Sequence, residues 1–432
     1  MKILDYQQAF GAVDKTTQAM RQAMERWKQL YYQQVATDER DPCQRIAYTV
    51  VSKIERGVFA EYTAVAEDPV AAGWLQALEK EKEQALQMVL SGGECCIKPY
   101  PVAGGFGFTL IPRENMLVFA RDQKGNPIDV GTAQRCTVGK HYFTLLERRY
   151  LQNQQLVMEN RLYRASQPES LGSEVPLSSC PVFGALPQKA RYPMDHLGLV
   201  RLKSPVPNCV DGSPDGVAVF APAEQLIEQI DRNEAQLSGE FDRGQSRIFL
   251  SRDLLDRDKN LKENLFVGLD EDPEQVGITI FAPQLRQTAF LERKQEYLRN
   301  AETILGLKRG MLSEVNMDQR TATEIAASQA DFSLTVAQFQ QLWQQAVGNV
   351  MALCHQLAGL YGMALPGSTA VRFDWGNGVL FDEEKVWADY LAMVDKGLIA
   401  PEVALGWRFG MAAETEEQRA AIRQKFMPNG RE

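Results

Sequence analysis

Four acidic side chains crowd into Asp270-Glu271-Asp272-Pro273-Glu274, and hard divalent cations take oxygen ligands of this kind. The run lacks the alternating donor spacing of a calcium-binding loop, so a solvated turn is the simpler reading and a metal-dependent nuclease the weakest functional one. Histidine is scarce: of His141, His196 and His355, none has a Cys, an Asp or a second His at ligand spacing. His355 stands beside Cys354 in a helical stretch, where packing or an interface accounts for it. There is no GxSxG elbow. Gly139-Lys140 is followed by His141 and has no glycine five residues upstream, so the chain offers no phosphate cradle of the P-loop type. Gly104-Gly105-Phe106-Gly107 lies between strands rather than opening a helix, and reads as a flexible loop at a sheet edge. The seven cysteines are odd in number and never spaced as CxxC, which fits a reducing, cytoplasmic setting. Cys95 and Cys96, adjacent on a strand, point to opposite faces as small buried hydrophobes. The sequence thus predicts no catalytic residue, no metal and no cofactor.

Basic residues are the remaining source of recognition chemistry. Arg243, Arg247, Arg252, Arg257, Lys259 and Lys262 recur through one stretch, interleaved with Asp242, Asp253, Asp256 and Asp258. Pairing with these carboxylates is the plain explanation, and contact with DNA or a partner protein the functional one. A formal net charge of -9 argues against a nonspecific nucleic-acid binder, because such proteins displace counterions with clustered Lys and Arg. Contact with DNA would have to be local or slippery. No window approaches eighteen uninterrupted apolar residues, and MKILDYQQAFG lacks the charged start and apolar core of a signal peptide.

The elements that carry these residues follow from periodicity. Met20, Met24, Trp27 and Tyr31 recur at helical spacing within 14–33, a second helix is expected over 41–62 opening at Asp41-Pro42, and a third runs from Asp68-Pro69 to Gly92-Gly93 with a solvated charged middle, Glu79 to Glu83. Short strands and turns are expected from Glu94 to Arg164, with turns at Lys124-Gly125-Asn126-Pro127 and Gln152 to Gln155, and an irregular connector over 165–216. Ala223, Ile227, Ile230, Leu237 and Phe241 mark one face of a helix that ends near Gly244. A strand and a small insert follow, up to Pro283, and Phe290, Tyr297 and Ile304 then repeat at seven in a second helix over 285–305. The strongest signal comes last: Ile325, Phe332, Val336, Phe339, Trp343, Ala346, Val350, Leu353, Leu357 and Leu360 step by seven and then by four and three. Thr321-Ala322-Thr323-Glu324 supplies a capping box, and the helix from there to Gly362 spans about 60 Å. Glu324 and Asp331 are its only charges, which suggests burial against neighbouring polypeptide. A short strand from Val371 and two or three small helices complete an α+β chain.

Residues 204–220, 240–250 and 320–325 (SPVPNCVDGSPDGVAVF, EFDRGQSRIFL and RTATEI) are three ordered stretches that resemble the portal proteins of long-tailed double-stranded DNA bacteriophages. Residues 204–220, SPVPNCVDGSPDGVAVF, are similar to the segment that leads into that family's stem. Glu240-Phe241-Asp242-Arg243-Gly244 leading to Arg247-Ile248-Phe249-Leu250 resembles its stem-to-clip junction, and Arg320-Thr321-Ala322-Thr323-Glu324-Ile325 the start of its long helix. The resemblance covers about residues 200–425 and is looser before that. It implies a wing over 1–221, stem helices at 222–244 and 285–305, a clip at 245–284, a tunnel loop at 306–320, a long wing helix at 321–362 and a small helical crown at 363–432. It further implies a ring, usually dodecameric, at one capsid vertex, assembled in the host cytoplasm and carried in the virion. Through that ring double-stranded DNA is packaged and ejected. The implied partners are the terminase, the major capsid and scaffolding proteins and a head-completion adaptor, with no membrane. Lys308, Arg309 and Arg320 are then the tunnel-loop candidates for DNA contact. Arg247, Arg252, Arg257, Lys259 and Lys262 are the clip candidates, and Phe332, Val336, Phe339, Trp343, Val350, Leu353 and Leu357 the packing residues of the long helix. The rival reading is another structural head protein or a coiled-coil adaptor.

Overall fold

The computed structural model describes residues 6–32, 43–168, 170–244, 247–251, 266–269, 279–281, 284–314, 322–376, 383–413 and 415–427. The chain is α+β and divides into two compact units. The first takes Met1–Val58 and Ala64–Phe373, the second Phe59–Thr63 and Asp374–Glu432.

The first unit opens with a single turn, α1 (Gln7–Phe10), stopped by Gly11 in the left-handed region. Helix α2 (Gln18–Tyr32) buries Met20, Ala23 and Trp27. Helix α3 (Ile46–Phe59) starts later than Asp41-Pro42 suggests, because residues 43–45 are not helical and the Gln44 amide is held by the Asp231 carboxylate at 2.7 Å. Strand β1 (Thr63–Ala66) precedes α4 (Pro69–Glu79), whose first turn is capped by Asp68 accepting from the Val70 and Ala71 amides. The single helix expected over 68–93 is two. The charged stretch is where it turns, with Glu79 paired to Lys82 at 3.2 Å, and α5 (Lys82–Gly92) resumes.

Strands β2 (Glu94–Val102) and β3 (Gly105–Pro112) form a tight hairpin about Ala103-Gly104. Gly105 and Gly107 therefore lie in a strand and not in a loop, and a Cβ at Gly107 would come within 2.5 Å of the Tyr100 ring. The larger sheet runs β4 (Met116–Arg121), β5 (Pro127–Val138), β6 (His141–Gln152), β7 (Gln155–Ala165) and β8 (Ser173–Val175), with β9 (Lys189–Tyr192) also on β7. β5 and β6 are twelve residues each, longer than the short strands the turn spacing predicts. Asn153 and Gln154, both at positive φ, make the two-residue turn that sets the β6–β7 register. Residues 165–216 are more ordered than their composition suggests: they supply β8, β9 and β10 (Val200–Lys203), the last completing a three-stranded sheet with β2 and β3.

One face of the large sheet packs Leu146 and Tyr163 against Tyr6 and Phe10, and three arginines hold that amino-terminal turn. Arg148 donates to the Phe10 carbonyl at 3.3 Å, Arg161 to that of Ala9 at 3.0 Å, and Arg135 to the Tyr6 hydroxyl. The other face packs Phe143, Leu145 and Leu162 under Cys180 and Phe183.

Next come α6 (Glu224–Arg243), then β11 (Arg247–Ser251), β12 (Phe266–Leu269) and β13 (Thr279–Phe281). β11 is the middle strand of this small sheet, parallel to β12 and antiparallel to β13. Helix α7 (Gln287–Ile304) and the forty-residue α8 (Ala322–Tyr361) follow. α8 packs across β2 and β10 and against α4. It approaches α3 closely at Gly57, where a Cβ would sit 3.0 Å from the Phe332 ring and from Val336. Strand β14 (Val371–Asp374) pairs with β1.

The second unit holds α9 (Glu383–Asp395), α10 (Pro401–Arg408) and α11 (Glu416–Phe426). α11 has a full capping box from Thr415 and Gln418, and buries Ile422. Stacked rings at Tyr390–Trp407 and Phe409–Phe426, with an Arg423–Glu402 pair at 2.6 Å, join the helices.

Candidate nucleic-acid interface

Helices α6 and α7, of twenty and eighteen residues, are near equals and pack on each other. Their contacts run in opposite order along the two helices, as an antiparallel pair requires. Arg286 forks onto Glu240 at 3.0 and 2.8 Å beside the small sheet. Further along, Lys294 bonds Glu234 at 2.8 Å and the Gln44 side chain at 3.0 Å, and the Asn233 amide donates to the Phe290 carbonyl at 3.0 Å. Ile227, Ile230 and Leu237 of α6 and Leu298 and Ala301 of α7 are buried. Two expectations change here. Phe241 is 43% exposed and Ile304 51% exposed, so neither lies on a face buried within the chain. Phe290 and Tyr297 are only half-buried, and the buried positions of α7 are Leu298, Ala301 and Glu302, because its neighbour is α6 rather than a heptad partner.

Glu302 is the feature that periodicity missed. It is 1% exposed, and its Oε1 accepts the main-chain N–H groups of Gly310, Leu312 and Ser313 at 3.0, 2.7 and 2.9 Å. Oε2 accepts the Ser313 hydroxyl at 2.8 Å and lies 3.6 Å from the Arg309 guanidinium. Consecutive amides wrapped round a carboxylate form an anion nest, here filled from within the chain. The loop after α7 is tied down a second time where Thr335 of α8 donates to the Gly306 carbonyl at 3.3 Å, and a third where the Glu314 amide donates to Gln295 at 2.8 Å. A glutamate on a helix next to a Gly-containing loop is the only sequence signal for this arrangement, and it is shared with many solvated glutamates.

The basic candidates divide. Lys308 is half-buried in this loop, and Arg309 donates to the Arg299 carbonyl at 2.7 Å, so Arg309 serves the loop's own structure as well as presenting charge. Arg247 lies on β11. Arg320, Arg252, Arg257, Lys259 and Lys262 lie outside the described residues, as do the acidic run 270–274 and Thr321 of the expected capping box. Lys308 and Arg309, adjacent in the sequence, lie just past the end of α7, and Arg247 lies at the opposite end of the α6–α7 pair.

Helix α8 has two faces. Phe332, Val336, Phe339, Trp343, Val350, Leu353 and Leu357 are all buried inside this chain, with Phe339 and Val350 fully so. Opposite them, Leu334, Gln338, Gln341, Gln345, Gly348, Ala352, His355 and Gly359 are exposed and repeat at four and three. That second stripe carries no formal charge over about 38 Å. His355 points outward, beside Pro366 and Ser368, rather than into a packed core. His196 packs on the same helix: its Nε2 meets Gln356 Oε1 at 2.8 Å while Nδ1 accepts the Gly198 amide, so the proton sits on Nε2.

The segment 204–220 that leads into α6 is built on a buried ionic network. Asp215, on Oδ1, accepts from Arg113 at 3.0 Å and Arg121 at 2.6 Å, and Glu94 takes the Arg201 fork. Burial pushes the Asp215 carboxyl up, but Arg113 and Arg121 outweigh it and hold the group below the usual carboxylate range. Asn208 knots the preceding turn, accepting the Val210 amide at 2.8 Å and donating to the Ser213 carbonyl at 3.1 Å. Gly93 and Gly216 meet backbone to backbone, where a Cβ on Gly93 would lie 2.4 Å from the Gly216 carbonyl oxygen. Among the described residues, no cluster of three or more His, Cys, Asp or Glu gathers to hold a metal, and no helix is long and apolar enough to cross a membrane. No protein-family model matches the chain, and no curated protein matches it.

Proposed function

We propose that this chain is the portal subunit of a tailed double-stranded DNA bacteriophage, assembling into a ring at one capsid vertex through which DNA is packaged and ejected. The observation that carries the reading is the antiparallel pair α6 and α7, two helices of matched length that bracket a compact three-stranded unit and are followed by a loop and a forty-residue helix. The pair is the stem, the small sheet belongs to the clip, and the loop held by Glu302 is the tunnel loop that offers Lys308 and Arg309 to DNA. The preceding helices and sheets, with α8, make the wing, and the carboxy-terminal helices the crown.

Charge supports the reading. A conduit works if its wall repels the DNA backbone and grips it only at a few points, and a chain of net charge -9 that sets Lys308 and Arg309 in one loop is consistent with that need. The uncharged outer stripe of α8 suits contact with the next subunit of a ring. Its inner stripe is already consumed within the chain, so the heptads need no coiled-coil partner. The ATPase that drives DNA belongs to the terminase in this reading, the clip receives the head-completion adaptor, and the major capsid and scaffolding proteins surround the wing. Negative-stain electron microscopy with native mass measurement of the purified full chain tests it. Closed rings with a central hole are the expected result. A strict monomer overturns the reading, and filaments or simple dimers without a hole replace it with another structural head protein.

A further inference from the structure

Cys136 and Cys180 have no place in the function proposed above, yet the fold brings them into contact. They are 44 residues apart in the chain, with Sγ atoms 3.6 Å apart. Cys136 lies on β5 opposite Phe143 of β6, on the face covered by Cys180 and Phe183. Cys180 follows the 3-10 turn Leu177–Ser179, just after β8 at the far side of the sheet. The segment from β8 to Phe183 therefore crosses β7 and β6 as a strap, and its tip rests on β5. Phe143, Leu145 and Leu162 beneath it, and Leu177 and Leu186 beside it, hold the two sulfurs in register.

The geometry points to a latent disulfide: we propose that Cys136 and Cys180 are a covalent modification site, closed by a small-molecule disulfide of the glutathione type to staple the strap onto β5. Closure requires the sulfurs to approach from van der Waals contact at 3.6 Å to about 2.05 Å. The exposures assign the order of attack. Cys136 is partly exposed and meets the reagent, whereas Cys180 is fully buried and can act only on its neighbour. The Cys136 sulfur, losing its proton, attacks the oxidised reagent, forms a mixed disulfide and expels one thiolate. The Cys180 sulfur then loses its proton, attacks the Cys136 sulfur and expels the second. Two protein thiols are oxidised to one disulfide, one reagent disulfide is reduced to two thiols, and the two protons end on the departing thiolates. Burial and the bond to Cys180 raise the Cys136 thiol to about 11, so closure is slow at neutral pH and faster in mild alkali. A chain made in a reducing compartment keeps the strap open, and one that passes to oxidising surroundings closes it.

The test uses the full chain with Cys209→Ser, which removes the most exposed thiol and leaves six. After incubation with oxidised glutathione, free thiols are alkylated under denaturing conditions and the chain is digested without reductant. The expected result is loss of two thiols, a cross-linked peptide pair carrying Cys136 and Cys180, and slower proteolytic cutting across 177–186 that dithiothreitol reverses. With Cys180→Ser added, Cys136 should stop as the glutathione adduct. Recovery of both cysteines alkylated, while the half-exposed Cys43 has exchanged, overturns the proposal. So does a Cys136 adduct that persists in the chain retaining Cys180. Neither readout depends on ring formation, so the staple and the portal reading fail separately.

Discussion

Replacing Glu302 by alanine tests whether the loop after α7 is held by one carboxylate. In the native chain three main-chain N–H groups and one hydroxyl converge on a side chain that is 1% exposed. Hydrogen bonds to a charged acceptor contribute about 1.5–3 kcal/mol each, and a buried donor left without a partner costs about 1–3 kcal/mol. Gly310 is exposed and Leu312 half-exposed, so water can reach those amides once the loop relaxes, whereas Ser313 is buried. The net local loss is then roughly 3–4 kcal/mol rather than the full sum. Hydrogen exchange at Gly310, Leu312 and Ser313 should accelerate about 10²–10³-fold, since each ~1.4 kcal/mol is tenfold. Glu302→Gln keeps an oxygen for the amides but loses the charge, and should fall between the two at a cost of about 1–2 kcal/mol. Amides of Ile227 to Leu237 on α6 are the internal control. Unchanged exchange at 310–313 in the alanine variant refutes the reasoning, as does uniform acceleration that includes α6, which would mean that Glu302 supports the whole unit rather than its loop.

Gly348→Arg adds a charge to the outer face of α8 at a point where a Cβ meets nothing within 4 Å. Thermal melting should be unchanged or raised by the equivalent of up to about 1 kcal/mol of helix propensity, while rings disappear from native mass spectra. Persistence of rings would remove that face from the proposed interface. Gly93→Ala forces a side chain into the Gly216 carbonyl at a residue with φ of 84°, and should cost at least about 3 kcal/mol in chemical denaturation. Trp343→Ala, at a site 1% exposed, should cost about 3–5 kcal/mol by the same measurement. Stability should also fall in acid. Burial alone would push the Glu147 carboxyl up, but Arg149 at 2.7 Å and Lys98 at 3.4 Å hold it down to about 2. Because its folded value lies below the unfolded value of about 4.3, this contribution is complete above that pH and is lost as the pH falls toward about 2. Arg149→Met should move the loss to higher pH and destabilise the fold by about 3–5 kcal/mol, read from denaturation midpoints across pH. An unshifted acid profile would count against the pairing.

What could be read without the fold was whatever depends on neighbours along the chain. The helical spacing of Phe332 to Leu357, the Asp68-Pro69 cap, the Ile227, Ile230 and Leu237 part of the α6 stripe and the strand character of residues 94–164 are local, and these appear in the structure, whereas Phe241 at the end of that stripe is exposed. Composition alone also excluded familiar catalytic motifs, because those need residue types at fixed spacings that the chain does not contain. The boundaries were less legible. α3 starts late because Asp231 takes the Gln44 amide, and 165–216 pairs as strands because β2 and β7 offer open edges.

Tertiary structure alone decided which polar groups are buried together. Glu302 and Ser313, Arg113 and Asp215, and Glu147, Arg149 and Lys98 look like ordinary surface polar groups in the sequence, since a single buried hydrogen bond or ion pair leaves no periodic trace. The same is true of Cys136 and Cys180, which only the strap across the sheet brings together. It also decided how the heptads of α8 are used: β2, β10, α3 and α4 take the apolar stripe inside the chain. The uncharged opposite stripe stays exposed because hydrophobic periodicity specifies a face to be covered but not whose surface covers it.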